Sequence, residues 1–161
     1  MLEIVTLGKE VLSQTAEPVK DIDDKIRSLA REMLETMRIG KGIGLAAPQV
    51  NLGIRLFVTE VDDKPRIFIN PEIVLTSQEL ADLEEGCLSI PGIYAKLQRP
   101  AAVRIQAWNE RGRPFNLDAE GLESRVILHE LDHLNGVLFV DRLSEPMRKR
   151  VLAQYERRIR M

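Results

Sequence analysis

The chain has 161 residues, 44% hydrophobic and 30% charged, which suits one soluble globular domain over residues 1–161. A formal charge of −2 argues against a nucleic-acid-binding surface over the whole molecule, DNA included. Cys87 is the single cysteine, so no intramolecular disulfide forms; Met1–Val5 has no basic leader and no apolar run spans a bilayer, so the expectation is a reduced, cytoplasmic protein without a membrane partner.

Asp23 and Asp24 are candidate N-caps of a first helix, in which Ile26, Leu29, Ala30, Met33, Leu34 and Met37 recur at helical spacing until Gly40 and Gly42 stop it. Next comes Gly42-Ile43-Gly44-Leu45-Ala46-Ala47-Pro48-Gln49. No Lys-Ser/Thr follows the glycines and Pro48 opposes a helix there, which rules out a phosphate loop. Small residues with one amide suit a strand or loop close to a ligand, with Gln49 offering an N–H to a developing oxyanion. A plain tight turn beside the core fits the same residues.

Arg55–Val61 and Arg66–Leu75 read as strands around the turn Asp62-Asp63-Lys64-Pro65, and Ala102–Asn109 and Pro114–Ala119 as strands around Glu110-Arg111-Gly112-Arg113. The pattern assigns no element between these two hairpins. A second helix is expected over Gly121–Leu134, closed by Asn135-Gly136 as a left-handed cap pair. A third follows Ser144, with Pro146 in its first turn and Met147, Val151, Tyr155 and Ile159 in one stripe. Strands joined by short turns with helices gathered around them predict an α+β fold.

Both histidines lie in His129-Glu130-Leu131-Asp132-His133 on the second helix. Positions i and i+4 differ by about 40° in direction, so both imidazoles project from one face, and Glu130 lies about 60° away from His133. Ile127, Leu131 and Leu134 point the other way and can be buried. Two neutral nitrogen ligands beside a carboxylate form a metalloenzyme pattern, although two histidines on a helix also occur as plain polar core. A catalytic site of this type needs a third ligand. Asp141 follows the helix too closely to fold back easily, and Glu145 and Glu156 belong to the last helix. Cys87, in Glu85-Gly86-Cys87-Leu88-Ser89, is the better candidate, since a divalent metal displaces the thiol proton. The other reading of Cys87 is a buried, inert thiol.

The stretches GIGLAAPQ, EGCLS and HELDH, in this order and at this spacing, resemble the three motifs of the peptide deformylase family, and the resemblance covers essentially the whole chain. It implies short antiparallel sheets packed around the HExxH helix, flanked by an N-terminal and a C-terminal helix. It implies metal ligands at Cys87, His129 and His133, a catalytic carboxylate at Glu130, and oxyanion donors from the Gln49 side chain and the Leu88 backbone N–H. The Gly44 segment would pair with the substrate backbone like an added strand. Ile43, Val126 and the His129 ring would wall a methionine pocket, with Arg125 and Tyr94 also on the substrate side. The implied reaction is hydrolysis of the N-formyl group of nascent formyl-methionyl peptides, releasing formate. The implied cofactor is one divalent metal, Fe²⁺ in the cell, with Zn²⁺, Ni²⁺ or Co²⁺ accepted by the same donors. The rival readings are a peptidase cutting internal bonds and a catalytically weakened deformylase-like module that only keeps the metal.

Three positions depart from the family pattern. Leu128 replaces a common glutamine, Arg125 stands where an apolar residue is frequent, and Tyr94 where many relatives carry arginine near the peptide exit path. Asp132 and Arg99 are expected to form an ion pair supporting the ligands. From Glu145 onward, Arg148, Lys149, Arg150, Arg157, Arg158 and Arg160 outnumber Glu145 and Glu156. The last helix is therefore either a ribosome-contacting basic face or a solvated surface over a packed stripe.

Overall fold

The first helix, α1 (Asp24–Ile39), starts where Asp23 turns its side chain back to accept the Ile26 N–H. Ala30, Met33, Leu34 and Met37 are buried on its inner face, at the expected spacing. The computed structural model describes residues 2–160; Met1 and Met161, the outer bounds of the expected domain, lie outside the described residues.

Five strands form an antiparallel sheet in the order β1 (Gly44–Ala46), β2 (Leu56–Val61), β3 (Lys64–Thr76), β6 (Ala102–Trp108) and β7 (Pro114–Glu120). Side chains alternate across a strand, so Leu45, Val58 and Ile67 meet α1 on one face while Ala46, Phe57 and Phe68 lie on the other. The other face is covered by α2 (Gly121–Leu134) through Ile127 and Leu134. A strand buried on both faces needs an unbroken apolar run, which is why Leu56-Phe57-Val58 does not alternate in polarity. The β2–β3 turn is shorter than expected. Only Asp62 and Asp63 form it, both at positive φ (54° and 60°), while Lys64 and Pro65 already pair with Val61 and Glu60.

A second sheet has no counterpart in the expected elements. Strands β4 (Leu80–Cys87) and β5 (Ile90–Pro100) form a two-stranded hairpin in the stretch that the pattern left unassigned. Its apolar residues Ile90, Ile93, Ala95 and Leu97 pack with Phe139, Val140 and the last helix, α3 (Glu145–Ile159), through Val151 and Tyr155. The α3 stripe ends one turn earlier than expected, since Ile159 is 60% exposed. At the end of α2 only Gly136 is left-handed (φ 74°); Asn135 has φ −105°. A Cβ on Gly136 would also lie 2.7 Å from the Ser13 carbonyl oxygen, so the cap doubles as a close contact with the N-terminal arm.

Candidate metal centre

Cys87 is the last residue of β4, just before the Leu88-Ser89 bend, and α2 carries His129, Glu130 and His133. The fold brings the hairpin against the polar face of α2, the side away from the five-stranded sheet. Cys87 Sγ and one ring nitrogen from each of His129 and His133 then lie within 4.8 Å of one another, with Sγ 3.4 Å from His133 Nε2. Ligands of a tetrahedral thiolate–imidazole centre are about 3.6 Å apart, given metal–sulfur and metal–nitrogen distances of about 2.3 and 2.0–2.1 Å. The donor set therefore fits a divalent ion of the Fe²⁺ or Zn²⁺ type.

His129 is fixed from behind. Its Nδ1 lies 2.9 Å from Glu85 Oε1, which leaves Nε2 for the front of the ring. Glu85 is buried, and burial alone would raise its pKa. Hydrogen bonds from His129, Arg99 and Arg125, with the Arg99 charge, outweigh that and hold the carboxyl well below the usual carboxylate range. Arg99 grips Glu85 through Nε (2.6 Å) and Nη2 (3.0 Å), and reaches the expected partner Asp132 through Nη1 at 2.9 Å. Arg142 closes the cluster on Asp132 at 2.6 and 2.8 Å.

Burial opposes charge on both histidines. At His129 the Cys87 and Glu85 acceptors and the Glu130 charge overcome burial, and its pKa stands well above the ordinary value. At His133 burial acts together with the positive charges of His129 and Arg99 and lowers the pKa well below it. His133 is thus a neutral base, the state a metal ligand needs, and its Nδ1 is buried without a hydrogen-bond partner. Cys87, His129 and His133 would hold a divalent ion through Sγ and one nitrogen of each ring, with the His129 front nitrogen then deprotonated.

Burial also pushes the Glu130 carboxyl up to about 7, against the lowering charge of His129, and Glu130 Oε1 is buried with no partner. Gly44 gives this carboxyl its space: a Cβ there would lie 2.5 Å from Glu130 Oε2. On the same side, Gln49 accepts the Ala46 N–H at its Oε1 (2.9 Å), so its amide nitrogen faces Cys87 Sγ (3.4 Å) and Ser89 Oγ (3.2 Å).

A cleft of about 570 Å³ opens over these groups, bordered by Cys87, Leu88, His129, Glu130, Gln49 and Gly44. Ile43, Val126, Arg125 and Tyr94 line it too, so of the site residues read from the sequence only His133 stays out of its wall, 1% exposed behind the sulfur. Tyr94 is 62% exposed and its ring lies over Gly86, where a Cβ would sit 2.5 Å from the ring. Arg125 borders the cleft, but its guanidinium turns to Glu85 and to the Leu97 and Ala81 carbonyls. Sequence reasoning gave no role to Glu85, although it lies in the quoted EGCLS stretch. Its partners stand 14, 40 and 44 residues away, beyond the reach of any local pattern.

A family model described as Polypeptide deformylase matches residues 1–149. A peptide deformylase of Synechococcus sp. (strain CC9605) is 50% identical over 149 residues, covering 89% of this chain and 74% of the relative. One from Treponema pallidum (strain Nichols) is 44% identical over 154 residues, covering 96% and 95%. Among solved structures, a peptide deformylase from Synechococcus elongatus in complex with actinonin aligns with TM-score 0.92 at 46% identity, covering 96% of this chain and 86% of that one. One from Ehrlichia chaffeensis, also in complex with actinonin, aligns with TM-score 0.95 at 36% identity, covering 100% and 99%.

Proposed function

The chain belongs to the polypeptide deformylase family, and we propose that residues 1–161 work as one catalytic domain that removes the N-formyl group from the initiating methionine of new polypeptides. One observation carries the assignment of its chemistry: a sulfur and two imidazole nitrogens within 4.8 Å of one another, with a buried carboxyl alongside whose Oε1 has no hydrogen-bond partner. Cys87, His129 and His133 would hold the metal, Fe²⁺ in the cell, with Zn²⁺, Ni²⁺ or Co²⁺ as substitutes. When bound, such an ion supplies Lewis acidity, which lowers the pKa of water toward neutrality and polarises a carbonyl oxygen.

The side chains divide the remaining work. Glu130 takes a proton from the attacking water and returns it to the departing amine nitrogen, a task suited to a buried carboxyl that borders the cleft beside the ligands. The Gln49 amide, held by Ala46 with its N–H groups toward the cleft, and the Leu88 N–H donate to the formyl oxygen as it gains charge. The Gly44 segment aligns the peptide backbone, and Ile43, Val126 and the His129 ring receive the methionine side chain. A formyl carbon carries no side chain, so a tight pocket admits it and excludes internal peptide bonds.

Formate release from formyl-Met-Ala by the metal-loaded protein, with Glu130→Ala as control, is the direct test. Cleavage of blocked internal peptides would mean a peptidase, and stable metal binding with no formate would mean a module that has lost turnover. Metal analysis after anaerobic purification decides between Fe²⁺ and its substitutes. We place the protein in the cytoplasm, in keeping with its single free thiol and the absence, among the described residues, of any helix long and apolar enough to cross a membrane. The ribosome is a second proposed partner. Asp141, Glu145 and Glu156 pair with Arg148, Lys149 and Arg160, which leaves Arg150, Arg157 and Arg158 without ion pairs among the described residues. Co-sedimentation with ribosomes that vanishes as salt rises supports that contact, and a salt-insensitive result removes it.

A further inference from the structure

We propose that Arg125 is a positioning residue for the metal centre: it locks α2 to both strands of the β4–β5 hairpin and completes the cradle of Glu85, which in turn holds His129 Nε2 toward Cys87 and His133. The inference rests on the ligand assignment made above.

The joint between α2 and the hairpin carries little apolar packing. Ile127 and Leu134 of α2 join the five-stranded sheet, whereas the apolar cluster of the hairpin draws on α3 and the Leu138–Val140 turn and contains no α2 residue. Cys87 and the histidines come from opposite sides of this joint, so their spacing depends on what fixes it. Polar side chains at helical spacing do so: Arg125, His129 and Asp132 follow one another at i, i+4 and i+7 on α2, and all three engage Glu85 or Arg99 of the hairpin.

Within that stripe Arg125 does what no other group does. Its Nη1 donates to Glu85 Oε2 (2.8 Å) and to the Leu97 carbonyl on β5 (2.7 Å), and its Nη2 to the Ala81 carbonyl on β4 (2.6 Å). Both strands are therefore tied to the turn of helix that precedes His129. Arg99 already offsets the Glu85 charge with a two-pronged grip, so a second guanidinium, itself 5% exposed, is not needed for neutrality and carries its own cost of leaving water. The planar fork of arginine suits one purpose at this place, which is fixing direction. The four contacts on Glu85, two per oxygen, leave the carboxylate no freedom to rotate away from His129.

The test measures how fast metal leaves the Co²⁺- or Zn²⁺-loaded protein into a chromogenic chelator, together with kcat and KM for formyl-Met-Ala-Ser. Arg125→Met keeps the stem and loses the fork. It should release metal about 10-fold faster than the parent, as expected when support behind a ligand is lost, with kcat lowered and KM within twofold. Arg125→Lys, which restores one cation to Glu85, should recover part of the difference. Phe68→Ala controls for stability, because it weakens the fold from the far face of α2. Should Arg125→Met not fold, Arg125→Gln takes its place. Metal release that merely follows thermal stability, and is equally fast in Phe68→Ala, overturns the proposal. So does a raised KM with parental metal release, which would make Arg125 a substrate contact. A parent that holds no metal, or that holds it equally well as Cys87→Ala, overturns the ligand assignment instead.

Discussion

The two sheets are joined to α2 by different forces. The five-stranded sheet lies between α1 and α2 and is fastened by apolar burial: Phe57, Phe68 and Ile105 are fully buried, and the Phe57 and Phe68 rings stack at 4.6 Å. The β4–β5 hairpin is fastened to α2 by Glu85, Arg99, Arg125 and Asp132, a buried set of charges. Apolar burial is strong and undirected, whereas charge-assisted hydrogen bonds fix distances and angles. The strand that must deliver a sulfur to within ligand distance of two imidazoles is attached by the second kind of force. The difference teaches a division of labour around α2: apolar burial holds the larger sheet to it, and directed ionic contacts set the position of the hairpin that carries Cys87.

The largest effect belongs to the chemistry at the joint itself. Glu130→Ala should lower formate release by about 10³-fold, the usual order for losing a general acid–base group, while bound metal stays stoichiometric. Loss of metal along with activity would show that Glu130 acts as a ligand and not as a proton carrier.

Next, Arg99→Met and Phe68→Ala set the two forces side by side. Removing Arg99 strands the Glu85 and Asp132 charges in the interior, at a cost of about 3–5 kcal/mol. Phe68→Ala opens a cavity at a comparable cost of about 3–5 kcal/mol. Urea unfolding should show similar losses for both, yet only Arg99→Met should weaken metal retention. If both retain metal equally, position does not depend on the ionic joint and the comparison fails.

A smaller effect is expected from pH. The folded state raises the Glu130 pKa from 4.5 to about 7. Between those values the unfolded chain has released a proton that the folded one keeps, so stability of the metal-free protein falls as pH rises from about 4.5 to about 7, by on the order of 3 kcal/mol. Glu130→Gln carries no such charge and should be the more stable protein at pH 8, but not at pH 4.5, in thermal melts of chelator-treated samples. Metal should shrink the gap, because a cation favours the carboxylate. Parallel pH profiles for the two proteins would remove burial as the cause.

The smallest change is expected at the Arg104–Asp118 pair, which is as short as the buried ones at 2.7 Å but lies open to water on the outer face of the sheet. Arg104→Ala should leave the urea midpoint and metal retention unmoved, since solvent screens the pair. A measurable loss there would blur the line between inside and outside that the comparison draws.

The sequence by itself determined the three helices, the two hairpins of the larger sheet and the chemical identity of the candidate ligands. The elements are written in neighbours a few residues apart: caps at Asp23 and Ser144, apolar residues at i, i+3 and i+4, a turn beginning at Asp62-Asp63 whose two-residue length the structure fixed, and histidines one helical turn apart; Cys87 lies in a separate motif and joined them only through the family resemblance. The β4–β5 hairpin escaped notice because its first strand, Leu80–Cys87, is acidic and largely exposed, and so lacks the apolar alternation that marks a half-buried strand. Only the tertiary structure decided that Glu85 sits behind His129, that Arg125 turns its guanidinium from the cleft to that carboxylate, and that Gly44 yields its side-chain space to Glu130. Those relations join residues 40 to 86 positions apart, and whether two groups meet across such a span depends on how whole elements pack, which no local spacing encodes.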